Sequence, residues 1–490
     1  MVTRPAQIPT RRDSSRASFA VVVLILLSLA ARFVFARAAV PQGLAATVYY
    51  AGESAPVVEQ GRATAAGELW HDGLPLNDPL APSLFGLLWR LVGPGMVAAL
   101  LAQAAVVTLT VLVTWVLARR LLGATAAFLA AALTAVSFPA DAFAATLDGQ
   151  ALYQLFLVLT ALLLVEWARH KRAVVALALG VVTGLATLTR SEHIVILPLA
   201  VLATWLAGGR GRAALASAVI VVVTALATLA PWTARNYVIL TAYNDAVAGP
   251  LGLQPLGPWV TVSFRGPLNF ALANNARSDG SYSRRILASA GRSSTLDLLD
   301  PGHRDLLNHG YSWGRLFVRS HPAGAAALAG RKLVLYARGF RTGFTGRDLP
   351  LGLPGERRSL DLYTPSLGGV ELVVLALVAA GLVVLGGEAL LLLVPLAGTA
   401  LISLLWTGQA KDAAALLPLV LILALGVLRR VFPRAERALG WPAMVLIAAF
   451  LFAAQYSAVR LVSQPQPASS DGQSPDASGK LSLLDLGEQR

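Results

Sequence analysis

The 490-residue chain has no cysteine. That excludes disulfides, thiol nucleophiles, zinc–thiolate sites and iron–sulfur clusters. Charge is also scarce. Only 13% of residues are Asp, Glu, Lys or Arg, against about 25% in soluble domains. Lysine is nearly missing, with 4 Lys to 36 Arg. There is no Walker loop, HExxH, G-x-S-x-G elbow or dinucleotide-type glycine fingerprint, so the common soluble enzyme classes have no support. The six histidines lack metal-ligand spacing and read as structural or solvated. Short alternating segments, which a membrane β-barrel needs, do not dominate.

What the chain has is apolar length. It is 56% hydrophobic, and many windows exceed the ~18 apolar residues that read as a membrane span. The expected fold is an all-α multi-pass membrane protein with about eleven spans: 19–36, 96–117, 123–140, 150–168, 173–189, 193–208, 213–232, 368–386, 388–407, 411–428 and 441–459. A cleaved signal peptide is the alternative at the N-terminus. The long run and the absence of a small-x-small site favour an uncleaved first span.

The connectors fall into two sets. Arg119–Arg120, "ARHKR" (168–172), "GRGR" (209–212) and "RRVFPRAER" (429–437) are arginine-rich. With the basic N-terminal tail they alternate with the other set, so the positive-inside rule puts them and the N-terminus in the cytoplasm. The connector at Glu388 gives no signal. The expected organisation is a cytoplasmic tail (1–18), a seven-span module (19–232) with a first external loop (37–95), an external loop with interfacial helices (233–367), a four-span module (368–459) and a disordered tail (460–490). The arginine bias points to a GC-rich bacterial genome, hence to the inner (plasma) membrane of a bacterium.

The chemically unusual residues then lie on the external side, where charge at membrane level marks a site or pathway. In "YYAGESAPVVEQGR" (49–62), Glu53, Val57 and Gly61 share a face if the stretch is helical, Pro56 suits the first turn, and Arg62 follows. By spacing alone Glu53 reads as a helix-end carboxylate. "NDPLAPSLFGLL" (77–88) places Asn77 and Asp78 as caps or ligands. "SFPADAFAATLDGQ" (137–150) holds Asp148 beside Gln150. "LTRSEHIVILP" (188–198) sets Arg190, Glu192 and His193 between two spans, as a locally ion-paired hairpin or as part of a site. "PWTARNY" (231–237) carries Arg235 and Asn236 at a span end, where a snorkelling arginine is the simpler reading. "WTGQAKD" (406–412) carries Lys411 and Asp412. "YSWGRLFVRSHPAGAAALAGRKLVLYARGF" (311–340) interleaves apolar and basic residues about Pro322, as interfacial helices do.

Taken in order, these stretches resemble one family over about 45–430. "ESAPVVEQGRATAAGEL", "NDPLAPSLFGLLWRLVG", "GLATLTRSEHIVILPLAV", "LAPWTARNYVI", "RLFVRSHPAGAAALAGRKLVLYA" and "KDAAALLPLVLILAL" are similar to successive motifs of the polyprenyl-phosphate-sugar glycosyltransferases of the C-type superfold. That group includes the protein O-mannosyltransferases and the aminoarabinose transferases of lipid A. The resemblance implies a cell-envelope enzyme that moves a sugar, with inversion, from a polyprenyl-phosphate donor to a hydroxyl of a lipid, glycan or protein acceptor. It makes Glu53, where the family usually has Asp, the general base. It makes Arg62, Arg190, Arg235 and Lys411 the donor-phosphate ligands. Asp78, Asp148, Glu192, His193 and Asn236 are the expected substrate contacts. Lys411 and Asp412 stand where the family has Arg and Tyr. Membrane lipids are expected partners and nucleic acid is not. The sequence specifies no cofactor and leaves a metal requirement open; Glu53, Glu59 and Asp78 could supply oxygen ligands for a divalent cation. The competing readings are a transporter or lipid-handling protein, which would favour internal repeats and midplane charge pairs, and an inactive relative.

Overall fold

A computed structural model describes residues 11–39, 54–68, 73–93, 95–145, 147–281, 286–291, 296–345 and 368–432, with positions 446 and 449. The elements are helical throughout these residues: α1 (Arg11–Ala39), α2 (Ser54–Ala66), α3 (Leu80–Val92), α4 (Met96–Leu122), α5 (Ala124–Ala135), α6 (Phe138–Ala145), α7 (Gln150–His170), α8 (Ala173–Thr189), α9 (Ile196–Ala207), α10 (Arg212–Tyr243), α11 (Arg265–Ala273), α12 (Pro301–Ser320), α13 (Pro322–Thr345), α14 (Gly369–Leu385), α15 (Leu393–Leu405), α16 (Ala410–Ala414) and α17 (Leu417–Val431). Short 3₁₀ turns, Ser191–Val195 and Gly387–Leu392, lead into α9 and α15.

The chain is a multi-pass membrane protein. Among the described residues four helical stretches have the length and apolarity to cross a bilayer: Val97–Leu122, Gln150–His170, Arg212–Ala248 and Gly387–Leu405. Shorter apolar helices accompany them, among them Phe19–Val34, Ala124–Ala135, Ala173–Thr189, Ser191–Ala207 and Gly369–Leu385. The expected span at 441–459 and the tail at 460–490 lie outside the described residues, apart from positions 446 and 449.

Small residues set a close helix contact. Gly180 and Gly184 of α8 form a G-x-x-x-G pair against Thr224 and Thr228 of α10. A Cβ at Gly180 would fall 1.8 Å from Thr224 Oγ1, and one at Gly184 2.6 Å from Thr228 Cβ. Matching steps of four along both helices make them parallel. Apolar surface gains nothing by leaving lipid for another helix, so such backbone approach supplies the packing. Gly123, at φ 93°, reverses the chain between α4 and α5 in one residue, a conformation closed to side-chain-bearing residues without strain.

Polar contacts gather at the two ends of the bundle. At one end Arg120 pairs with Glu166 at 2.5 Å and Arg169 with Glu388 at 2.5 Å. Arg169 also donates to the Arg120 carbonyl at 2.7 Å, Lys171 to that of Ala207 and Arg429 to that of Leu122. The arginine-rich connectors therefore do meet, and the Glu388 connector joins them. These bonds satisfy helix C-terminal carbonyls, which have no intrahelical partner. At the opposite end buried Arg32 of α1 reaches the Ala135 carbonyl, the last of α5, at 2.5 Å.

α10 runs past the expected span end at 232, through Pro231, to Tyr243. The indole of Trp232 and the amide of Asn236 fasten it to the 260–262 segment, with donor distances of 2.8 Å to Val262, 2.9 Å to Val260 and 3.0 Å to Val262. After it, α12 and α13 form the pair broken at Pro322. Asp300 caps α12 through the Gly302 N–H at 2.8 Å, with Pro301 in its first position, the arrangement that suits a helix start.

Candidate functional site

The site grows from the end opposite the paired arginines. In the first loop, α2 and α3 lock together through glycines: a Cβ at Gly61 would meet the Trp89 ring at 2.8 Å, and one at Gly86 would meet Thr64 at 2.2 Å. Val57 and Val58 are buried against Phe85 and Trp89. The Val57–Gly61 face is thus a packing face. Arg62 and Glu59 are exposed on α2. Glu53 lies outside the described residues.

This hairpin presents Asp78. It does not cap α3, whose N-cap is Pro79 without a side-chain bond. Its Oδ1 instead accepts the Ser263 hydroxyl at 2.7 Å and the Ser191 N–H at 3.3 Å. Burial, and then the charge of Glu192, push the Asp78 carboxyl up to about 6, while Arg265 and the two hydrogen bonds oppose them. Glu192 in turn accepts from Asn269 at 3.1 Å. Two buried carboxylates from separate loops therefore share one environment. The Asp78 carboxyl is raised because an isolated charge is costly there and a second like charge more so.

The 190–195 turn brings three expected residues together. α8 ends at Thr189, Arg190 is extended, and a 3₁₀ turn follows. Arg190 pairs with Asp412 through both guanidinium nitrogens. The local Arg190–Glu192 pair weighed from sequence is thus replaced by one spanning 222 positions. The guanidinium also lies over the Tyr153 ring, 4.9 Å from its centroid. His193 is fully buried, edge-on to Tyr153, with Nδ1 3.4 Å from the phenol oxygen.

Asp412 is held by its neighbours. Gln150 and Gln154 of α7 donate to the Lys411 and Ala415 carbonyls at 3.2 and 3.3 Å. Gly339 of α13 lets the Ala410 carbonyl approach closely. Lys332, 1% exposed, donates to Asn274 at 2.7 Å and to the Leu404 carbonyl at 3.3 Å. Asn274 donates to the Leu405 carbonyl at 2.7 Å. Together they close the C-terminus of α15, where a cation suits the helix dipole, and so set the path of 406–412. Burial pushes the Lys332 ammonium down to about 7.

Asp78, Arg190, Glu192 and His193 thus gather about one cluster, which Asp412 joins through Arg190, while Lys411 is placed by its carbonyl on Gln150. Asp148 accepts the Gln150 N–H at 2.9 Å and starts α7. Asn236 spends its amide on the 260–262 backbone. Arg235 is buried over the Trp232 ring at 4.6 Å, not snorkelling, and donates to Asn236 at 3.3 Å. Arg62 makes no hydrogen bond or ion pair among the described residues. Sequence reasoning missed Ser263, Arg265, Asn269, Tyr153 and Lys332. The 311–340 stretch was marked by its basic–apolar interleaving, but nothing local singled out Lys332 within it.

Among the described residues no three His, Cys, Asp or Glu side chains come together as a metal cluster. Of the carboxylates considered for a cation, Glu59 is exposed and Asp78 is engaged by Ser263 and Ser191.

Residues 75–234 match a family model described as dolichyl-phosphate-mannose-protein mannosyltransferase. The matched segment, about a third of the chain, contains Asp78, Asp148, Arg190, Glu192 and His193 and stops one residue short of Arg235. No curated protein matches. The chain is similar in structure to ArnT from Cupriavidus metallidurans in the apo state, at 17% identity and TM-score 0.37, covering 84% of this chain and 77% of that one. For the same protein bound to undecaprenyl phosphate the values are 17%, 0.37, 85% and 78%. The oligosaccharyltransferase of Archaeoglobus fulgidus, in complex with Zn and sulfate, gives 14%, 0.41, 89% and 53%. Similarity of this degree says nothing of substrate. Over 75–234 the chain is thus similar to that mannosyltransferase family, one of those the ordered motifs resemble.

Proposed function

We propose that the protein transfers a sugar from a polyprenyl-phosphate donor to an acceptor hydroxyl at the outer face of a bacterial inner membrane. The observation that carries this is the cluster itself. Two buried carboxylates, Asp78 and Glu192, neighbour each other, with the Arg190 guanidinium beside Glu192, at the end away from the arginine-rich connectors and within the segment that matches a polyprenyl-type mannosyltransferase family. By the positive-inside rule the arginine-rich end is cytoplasmic and the cluster external.

In this reading the acceptor hydroxyl attacks the anomeric carbon as its proton passes to a carboxylate. The C–O bond to the phosphate breaks with inversion, and polyprenyl phosphate leaves with the bonding pair. Glu53 is the proposed base. Asp78 and Glu192 hold sugar hydroxyls, a task for buried, hydrogen-bonded acceptors. Charge builds on the departing phosphate, so cations fixed beforehand lower the barrier. Arg190 is such a cation, kept in place by Asp412 and Tyr153, and Arg62, Arg235 and Lys411 complete the set.

The test is transfer by the purified full chain in nanodiscs, given radiolabelled polyprenyl-phosphate sugars and membrane-derived acceptors. Label should move to acceptor in the wild type and be lost in Glu53→Gln and Glu192→Gln variants that keep their melting temperature. Sugar flux in proteoliposomes with no donor consumed would replace this reading with transport.

A further inference from the structure

The arginine-rich end holds a feature that glycosyl transfer does not use. An apolar groove of about 520 Å³ opens between α8 and α10, lined by Val174, Leu177, Val219, Ile220, Val223 and Thr224. The two helices touch through Gly180 and Thr224, which closes the groove at that level. From Ala173 to Gly180 the helix rises about 10 Å, a depth suited to an alkyl chain lying along the helices.

Two arginines stand at its mouth. Arg172 directly precedes Ala173, the first residue of α8 and part of the lining. Arg212 opens α10, two turns before Val219 and on the same face. Both are exposed, and neither makes a hydrogen bond or ion pair through its side chain among the described residues. Several cations at this end are committed: Arg120 to Glu166, Arg169 to Glu388, Lys171 to Ala207 and Arg429 to Leu122. Close by, Arg210 stacks on half-exposed Trp205, 6.0 Å from its centroid, and tryptophan marks headgroup level. Guanidinium groups suit phosphate, and each basic residue near an anionic lipid surface adds to its attraction.

We propose that this end binds one anionic phospholipid, its phosphate between Arg172 and Arg212 and one acyl chain in the α8–α10 groove. Charge complementarity chooses the occupant, since a zwitterionic lipid has no net charge for the two free arginines to meet. The site is separate from the Asp78 cluster and does not depend on the proposed reaction. Arginines serving topology alone would attract anionic lipid diffusely, whatever the groove contained.

The experiment is native mass spectrometry of the full chain, with equal amounts of phosphatidylglycerol and phosphatidylcholine of the same acyl length. One retained phosphatidylglycerol per chain is expected. Arg172→Gln with Arg212→Gln should lower its occupancy at least about tenfold. Filling the groove by Leu177→Trp, or by Val223→Phe should the first fail to fold, should do likewise with the arginines intact. Arg430→Gln, a basic residue away from the groove, should leave occupancy unchanged. Equal retention of both lipids, undiminished occupancy in a folded groove-filled variant, equal loss in Arg430→Gln, or retention of added polyprenyl phosphate in preference to phosphatidylglycerol would each overturn the proposal.

Discussion

Arg190 and Asp412, 222 positions apart, form a two-bond ion pair that joins the turn after α8 to the short helix α16. Their side chains are 16% and 3% exposed. Removing one partner leaves the other charge buried, which costs about 3–5 kcal/mol, whereas removing both often costs little. Asp412→Asn should therefore lower the melting temperature in detergent clearly, and Arg190→Gln with Asp412→Asn should recover part of that loss. A double variant as unstable as the sum of the singles would show that the two do not act as a pair.

Asp78 gives a pH signature. Between its ordinary 3.8 and about 6 the folded chain holds a proton that the unfolded chain has released. Asp78 thus adds stability at low pH that fades as pH rises through that window. The melting temperature of Asp78→Asn should vary less between pH 4.5 and 7 than that of the wild type. If ionised Asp78 holds the sugar, donor KM should also rise below pH 6 in the wild type and stay flat in the variant.

Lys332 predicts the opposite slope at higher pH. Its folded value near 7 lies below the ordinary 10.5. The unfolded chain keeps the proton longer, so stability should climb as pH rises from about 7 to 10.5. Melting curves of Lys332→Met should lack this climb.

The α8–α10 seam predicts a packing failure. A methyl at Gly180 would fall 1.8 Å from Thr224 Oγ1 and 2.5 Å from the Val221 carbonyl. Overpacking of this kind costs about 1–3 kcal/mol. Gly180→Ala should unfold at lower denaturant, and adding Thr224→Ala should restore only part, because the carbonyl remains.

Much of the architecture was legible because lipid imposes it. Apolar runs marked the helices, and arginine placement sorted the connectors into two sets, of which the arginine-rich one meets at one end through the Arg120–Glu166 and Arg169–Glu388 contacts. Pro322 marked the α12–α13 break. The partner of Arg190 was not legible, because an ion pair across 222 positions leaves no local spacing. Ser263 lies just before α11 and Asn269 within it, in a stretch with no local signal, and they matter because Asp78 and Glu192 face them. Pro231 and Trp232 suggested a span end, yet α10 continues, since its later turns bond to the 260–262 backbone. Asp412, a departure from the family pattern in sequence, is in space the counterion of Arg190.

The most direct measurement is release of polyprenyl phosphate from a radiolabelled polyprenyl-phosphate sugar, by wild type and Glu53→Gln in nanodiscs at pH 7.5. The account predicts acceptor-dependent release by the wild type and a loss of about 100-fold or more in a folded Glu53→Gln protein. Equal release by both, or none by the wild type across a panel of sugars and membrane acceptors, would contradict it.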